Sequence, residues 1–196
     1  METKLRFYLC DTRLGWIGLV LSPRGLRATT LPRPSRDEAL REVAEMGALE
    51  PAAEAEAGDL PRRLRAFAEG RRADPSTGSL AGPRRAPVRG QAGQAPSTSS
   101  GQALTAEIDW DGITGFRRAV LEETMRIPVG ETRSYGWLAR KVGRPRAARA
   151  VGRVMATNPF PIVVPCHRVV ASDGSLHGYG GGLEVKDALL RLEGAR

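Results

Sequence analysis

The chain has 196 residues, 41% of them apolar, which is enough for one ordinary domain or two small ones around a real core. Its formal charge is +8, carried almost wholly by arginine, and this points to phosphate-bearing polymers or anionic surfaces as partners. No run approaches the ~18 consecutive apolar residues of a membrane span, and the opening METKLRFYLCDTRLGW lacks the apolar core and cleavage site of a secretory leader, so a cytoplasmic protein without membrane association is expected.

In chain order, Leu5 to Cys10, Trp16 to Leu21 and Leu26 to Leu31 are β-rich, with Ser22-Pro23-Arg24-Gly25 as a turn, and they predict an antiparallel meander. Ser35 is placed to cap a helix carrying Leu40, Val43 and Met46 at helical spacing, and a second helix is expected over Pro61 to Gly70. Residues 1–70 thus read as one structured segment. From Arg71 to Ala103 the composition turns to Gly, Pro, Ser, Thr, Arg and Gln, which predicts a linker or mobile loop. A basic arm touching nucleic acid through Arg84, Arg85 and Arg89 is the alternative.

Residues 104–196 regain periodicity. Thr114 to Arg126 predicts a helix ending before Pro128, and Ser134 caps a helix to about Val142. Gly143 stops that helix, and Pro145 is expected in the first turn of another reaching Thr157. Two short helices around a tight turn suit either a helix-turn-helix or an ordinary hairpin of helices. Charge favours the first: between Thr132 and Ser172 there is no acidic residue, while Arg133, Arg140, Lys141, Arg144, Arg146, Arg149, Arg153 and Arg168 are present.

Two cysteines occur, Cys10 and Cys166, and in a reducing compartment both stay free. Cys166 stands between the apolar run Ile162-Val163-Val164-Pro165 and the pair His167-Arg168, whose groups can favour a thiolate. Neighbours on a strand point to opposite faces, so contact between Cys166 and His167 requires a turn or a bridging water. Only Cys10, His167 and His177 accompany Cys166 as Cys or His, and His167 is engaged, so no zinc site of four such ligands is expected.

The C-terminal part resembles the O6-alkylguanine-DNA alkyltransferases. The resemblance rests on Pro165-Cys166-His167-Arg168-Val169 after Asn158-Pro159, on Ser134-Tyr135-Gly136, and on Ala147 to Gly152. It extends to Tyr179-Gly180-Gly181-Gly182-Leu183, followed by Lys186 and Leu192-Glu193-Gly194. It implies an α+β fold: a small N-terminal scaffold domain over residues 1–70 with an antiparallel, ribonuclease H-like sheet, and a mostly helical, winged helix-turn-helix-like domain carrying the cysteine. It also implies that Cys166 takes the alkyl group from guanine O6, or O4 of thymine, once and irreversibly, while Glu193, His167 and a water remove its proton.

By the same resemblance Tyr135 offers its phenol to the base, and Asn158 ties the helices to the active-site turn. Arg149 fills the space left by the flipped nucleotide. Ala148, Gly152, Ser134 and Arg168 complete a minor-groove contact with double-stranded DNA. Tyr135, Pro161, Val169, Tyr179 and Gly180 form the base pocket. No cofactor or metal is implied, and a monomer is expected. Gly180 replaces a hydroxyl residue of some members, and Ala156 a basic one. The rival readings are a non-catalytic binder of alkylated DNA and a regulator that senses alkylation at Cys166.

Overall fold

A computed structural model describes residues 4–48, 50–70, 72–73, 80–81, 104 and 106–196. The chain begins with β1 (Arg6–Thr12), β2 (Gly15–Ser22) and β3 (Gly25–Thr29), an antiparallel meander. Helix α1 (Arg36–Glu45) follows, then β4 (Glu50–Pro51), which lies parallel to β1 and completes a sheet of order β3-β2-β1-β4. Helix α2 (Leu60–Ala68) and the short antiparallel pair β5 (Arg72–Ala73) and β6 (Leu80–Ala81) close this half. Apart from β5 and β6, the expected linker, with Arg84, Arg85 and Arg89, lies outside the described residues.

Local chemistry accounts for these elements. Ser35 caps α1 by accepting from the Glu38 backbone N–H, satisfying one of the donors a helix start leaves open. Gly25, at φ +124, begins β3 where a Cβ would stand 2.4 Å from the Glu107 carbonyl oxygen, the acceptor of the Leu26 N–H. Gly18 lets α1 settle on β2, since a Cβ there would meet Val43 at 2.4 Å. Met46 remains partly exposed beyond the end of α1 instead of joining its buried stripe.

The second half holds α3 (Gly115–Met125), β7 (Arg133–Ser134), α4 (Tyr135–Lys141), α5 (Ala148–Ala156), β8 (Val169–Val170) and α6 (Leu183–Leu192), with β7 parallel to β8. Ser134 caps α4 by accepting from the Trp137 N–H. Pro145 is not in the first turn of α5. The Ala147 N–H donates to the Arg144 carbonyl across Pro145 and Arg146, a turn that puts the helix start at Ala148.

The two halves share one core. Ile17, Leu19 and Leu21 of β2 and Leu60 and Leu64 of α2 belong to the same apolar cluster as Leu121, Leu138, Val151 and Val164. Each such side chain contributes about 1.5–3 kcal/mol on full burial. The Thr29 N–H donates to the Pro159 carbonyl at 2.8 Å, and its hydroxyl to the Pro161 carbonyl at 2.9 Å, so the edge of the sheet grips the segment leading to Cys166.

Candidate active site

The backbone between α5 and Cys166 cannot form a strand ladder, because Pro161 and Pro165 lack N–H donors and Ile162 sits in the left-handed region at φ +73. That conformation is costly for a β-branched residue and is held here by complete burial. Pro165, at φ −77 and ψ 66, is the centre of an inverse γ-turn, closed by the Cys166 N–H donating to the Val164 carbonyl at 2.7 Å. A single 3-10 turn over Cys166–Arg168 follows. Cys166 and His167 therefore do not alternate as on a strand, and the turn that their contact requires is present.

Asn158, just past α5, fixes this turn: its Nδ2 donates to the Val164 carbonyl at 2.9 Å and its Oδ1 accepts from the Phe160 N–H at 3.0 Å. The Asn158 amide and the Tyr179 hydroxyl lie close enough to the sulfur to affect its ionisation, and the buried Tyr179 hydroxyl makes no hydrogen bond among the described residues. Burial raises the Cys166 pKa, against the opposing influence of Asn158, Tyr179 and the Lys186 ammonium. The resting cysteine is a thiol, and its reaction requires a proton acceptor.

His167 supplies one. Its Nε2 lies 3.0 Å from Glu193 Oε1, and both side chains are buried. Burial pushes the Glu193 carboxyl up, yet its hydrogen bonds with His167 and Arg168 prevail and hold it at about 2. An ionised carboxylate only accepts, so Nε2 must carry the hydrogen. Burial also lowers the His167 pKa, so the ring is neutral and Nδ1 is a bare acceptor. Nδ1 is buried and makes no hydrogen bond among the described residues. A ring poised in this way takes a proton on Nδ1, and Glu193 stabilises the resulting imidazolium.

Arg168 corrects an expectation. It is 3% exposed, its Nε and Nη2 donate to Glu193 at 2.9 and 2.7 Å, and its Nη1 donates to the Ile127 carbonyl at 2.6 Å. It orients the carboxylate and is not available to DNA. An ionised group this deep needs such a partner, and the sequence does not reveal which arginine of a basic stretch has one.

A cleft of about 650 Å³ opens beside the turn, lined on one side by Ala148, Arg149, Gly152 and Ala156 of α5 and on the other by Tyr135, His177 and Tyr179. Gly180 also lines it, whereas Pro161 and Val169 are buried and do not line it. Val169 instead offers its carbonyl to Lys186 Nζ at 2.6 Å, and the Pro161 carbonyl is taken by Thr29. On the outer face Arg149 and Arg153 are exposed and make no ion pair among the described residues, and a Cβ on Gly152 would meet nothing within 4 Å. Ser134 Oγ accepts from the Trp137 N–H in its cap and keeps its hydroxyl hydrogen to donate.

Two contributors carried no assigned role in the sequence. Lys186 is 1% exposed, and its Nζ stands 5.9 Å from the ring centres of both Tyr135 and Tyr179, joining the cleft walls to the sulfur's surroundings. Its signal was available: Lys186, Leu189, Leu190 and Glu193 follow helical spacing, which puts two charged residues on the buried stripe of α6. The other is Phe67 of α2, whose ring centre lies 6.5 Å from that of His167 and brings the N-terminal half into the site. Among the described residues no group of three or more His, Cys, Asp or Glu is arranged to hold a metal.

Fold and site define a cysteine-centred protein, with a buried thiol next to a buried histidine–carboxylate pair and a cleft lined by one of a pair of cationic helices. Residues 115–195 match the family model of the 6-O-methylguanine DNA methyltransferase DNA-binding domain. The methylated-DNA–protein-cysteine methyltransferase of Mycobacterium tuberculosis H37Rv is 52% identical over 90 residues, 46% of this chain and 54% of that protein, so the match spans about half the length of that curated relative. The crystal structure of Mycobacterium tuberculosis O6-methylguanine methyltransferase superposes with a TM-score of 0.67 at 30% identity, covering 98% of this chain and 94% of that one. A second structure of the Mycobacterium tuberculosis protein, in complex with DNA, gives 0.65 at 30% identity, over 98% and 93%. The chain belongs to the methylated-DNA–protein-cysteine methyltransferase family.

Proposed function

We propose that this chain repairs DNA by transferring the alkyl group of O6-alkylguanine to Cys166, once per molecule. The carrying observation is the buried His167–Glu193 pair next in sequence to Cys166, with Nδ1 of a neutral imidazole left unbonded among the described residues; this supports a relay from Cys166 through His167 to Glu193. The thiol proton passes through a water to Nδ1. The sulfur then attacks the alkyl carbon, the carbon–O6 bond breaks with its electron pair moving to guanine, and the guanine anion takes up a proton. The product is a thioether, which has no leaving group to restore the thiol, so the reaction runs once.

O6 of a stacked guanine cannot reach a buried sulfur, so the nucleotide must be flipped. Arg149, at the edge of the cleft, fills the gap in the stack, while Ala148 and Gly152 let α5 approach the minor groove closely. Tyr135, Tyr179 and Gly180 receive the base. On this reading α4 and α5 form a winged helix-turn-helix and the N-terminal sheet is a ribonuclease H-like scaffold. Residues 1–70 and 104–196 are its two domains, and the protein acts as a monomer without a cofactor.

The test is to mix the protein with duplex DNA containing O6-methylguanine, then measure intact mass and map the modified peptide. One methyl per chain on Cys166, absent in Cys166→Ala, is expected. An unmodified protein that still binds this DNA would overturn the transferase reading in favour of a non-catalytic binder.

A further inference from the structure

Just beyond β3 the chain forms a bulge against β2. The Thr30 N–H donates to the Gly18 carbonyl at 2.9 Å and its hydroxyl accepts from the Gly18 N–H at 2.8 Å, while Trp16 and Arg33 exchange two N–H to carbonyl bonds of 2.8 Å. Between these anchors Leu31 and Pro32 stand opposite the single residue Ile17. Such a bulge re-aims a side chain away from the alternation of its strand. Leu31 is half-buried and belongs to neither apolar cluster of the core, so its packing serves something else.

It serves the glycine loop that leads into α6. A Cβ on Gly181 would stand 2.8 Å from Leu31 Cδ1, and one on Gly180 4.0 Å, so the methyl rests directly on bare backbone. Gly180 in turn lines the cleft. The Gly182 N–H donates to the Tyr179 carbonyl at 2.9 Å and closes a turn, but neither Gly180 nor Gly181 donates a backbone hydrogen bond among the described residues. Gly178 and Gly182 flank them at φ +21 and +86. Chain of this composition has wide conformational freedom, which contact with a side chain on an anchored backbone restricts.

We propose that Leu31 is a positioning residue, a brace from the N-terminal half that holds the Gly180–Gly181 backbone in place as a wall of the cleft receiving the base. The inference rests on the transferase reading and gives the N-terminal half a share in it. Leu31 touches neither the base nor the sulfur on this account; it acts through the glycines. A misplacement of about 1 Å by a residue remote from the chemistry costs up to ~100-fold in rate, so loss of one brace should slow transfer by about tenfold.

Single-turnover methyl transfer from a saturating duplex containing O6-methylguanine tests the brace, with melting temperature and affinity for undamaged duplex measured alongside. Leu31→Ala should slow transfer about tenfold with both controls unmoved, and Leu31→Met, which conserves volume, should keep the rate. Gly181→Ala, whose Cβ pushes the wall away or swings the Leu31 methyl off it, should slow transfer to a similar extent. Both substitutions remove one contact, so the double variant should be no slower than the slower single variant. Single variants that transfer at the unsubstituted rate, or a double variant whose loss is the product of the two, overturn the brace and leave the transferase reading intact. Slowing that comes only with a lower melting temperature makes Leu31 a packing residue and likewise overturns it. Failure of the unsubstituted protein to methylate Cys166 overturns both.

Discussion

Glu193 and His167 are both buried, and proton uptake by either is opposed in the folded state, so this hydrogen-bonded pair governs acid stability. The carboxyl of Glu193 titrates at about 2, below its ordinary range near 4.3. The stability it contributes is present above that range and is lost as pH falls toward 2. The His167 pKa is likewise lowered, chiefly by burial, so the unfolded chain takes up its proton first, near ~6.5. Stability from that source is present above ~6.5 and drains away below it. The melting temperature should therefore decline in two stages, one beginning below about pH 6.5 and one below about 4.3. His167→Gln, which keeps a donor for Glu193 but does not titrate, should remove the first stage, and persistence of that stage would assign it to another group. The pairing of His167 with Glu193 was legible in the sequence through the family resemblance, because the motifs that carry both residues are specific. The partnering of Arg168 was not, because charge in a sequence reads as surface until the fold shows which charges are paired.

Elements were legible to the extent that their punctuation is local. Ser35 and Ser134 announced α1 and α4 as caps, and Pro23-Arg24 announced the β2–β3 turn. The segment ahead of Cys166 was less legible, since an apolar run between prolines fits a strand by composition, and only the backbone shows the γ-turn and 3-10 turn that replace it. Helix α5 shows what a helix face can disclose once its surroundings are known. Gly152 is helical, has no positive φ, and leaves open space where a Cβ would go. Gly152→Ala should therefore stabilise the free protein by about 0.5–1 kcal/mol, seen as a higher melting temperature, with transfer retained. Leu at this position is nearly as good a helix former as Ala, and if α5 docks on DNA as proposed, Gly152→Leu should weaken duplex binding about tenfold at fixed salt without loss of stability. Equal binding by Gly152→Leu would show that this face of α5 is not the interface.

At the scale of the whole molecule the composition break after residue 70 suggested two domains joined by a linker, whereas the described residues form one continuous apolar cluster across both halves. The sequence could not show this, because either face of β2 is apolar enough to be internal: Val20 joins a small cluster with Val43 of α1, while Ile17, Leu19 and Leu21 join the large cluster that also holds Leu60 and Leu64 of α2 and residues of the C-terminal half. The polar seam of this interface is Thr29, 2% exposed, whose hydroxyl holds the Pro161 carbonyl at the start of the active-site turn. Thr29→Val keeps the shape and removes the donor, leaving a buried carbonyl unsatisfied at a cost of roughly 1–3 kcal/mol. If the halves fold as one unit, that loss must be felt equally by both. Variants retaining only Trp16, in β2, or only Trp137, in α4, report the two halves separately. Thermal or denaturant unfolding should give one midpoint for both reporters, and Thr29→Val should shift both by the same amount. A shift seen by one reporter alone would mean that the halves unfold independently, and that the sheet does not support the turn carrying Cys166.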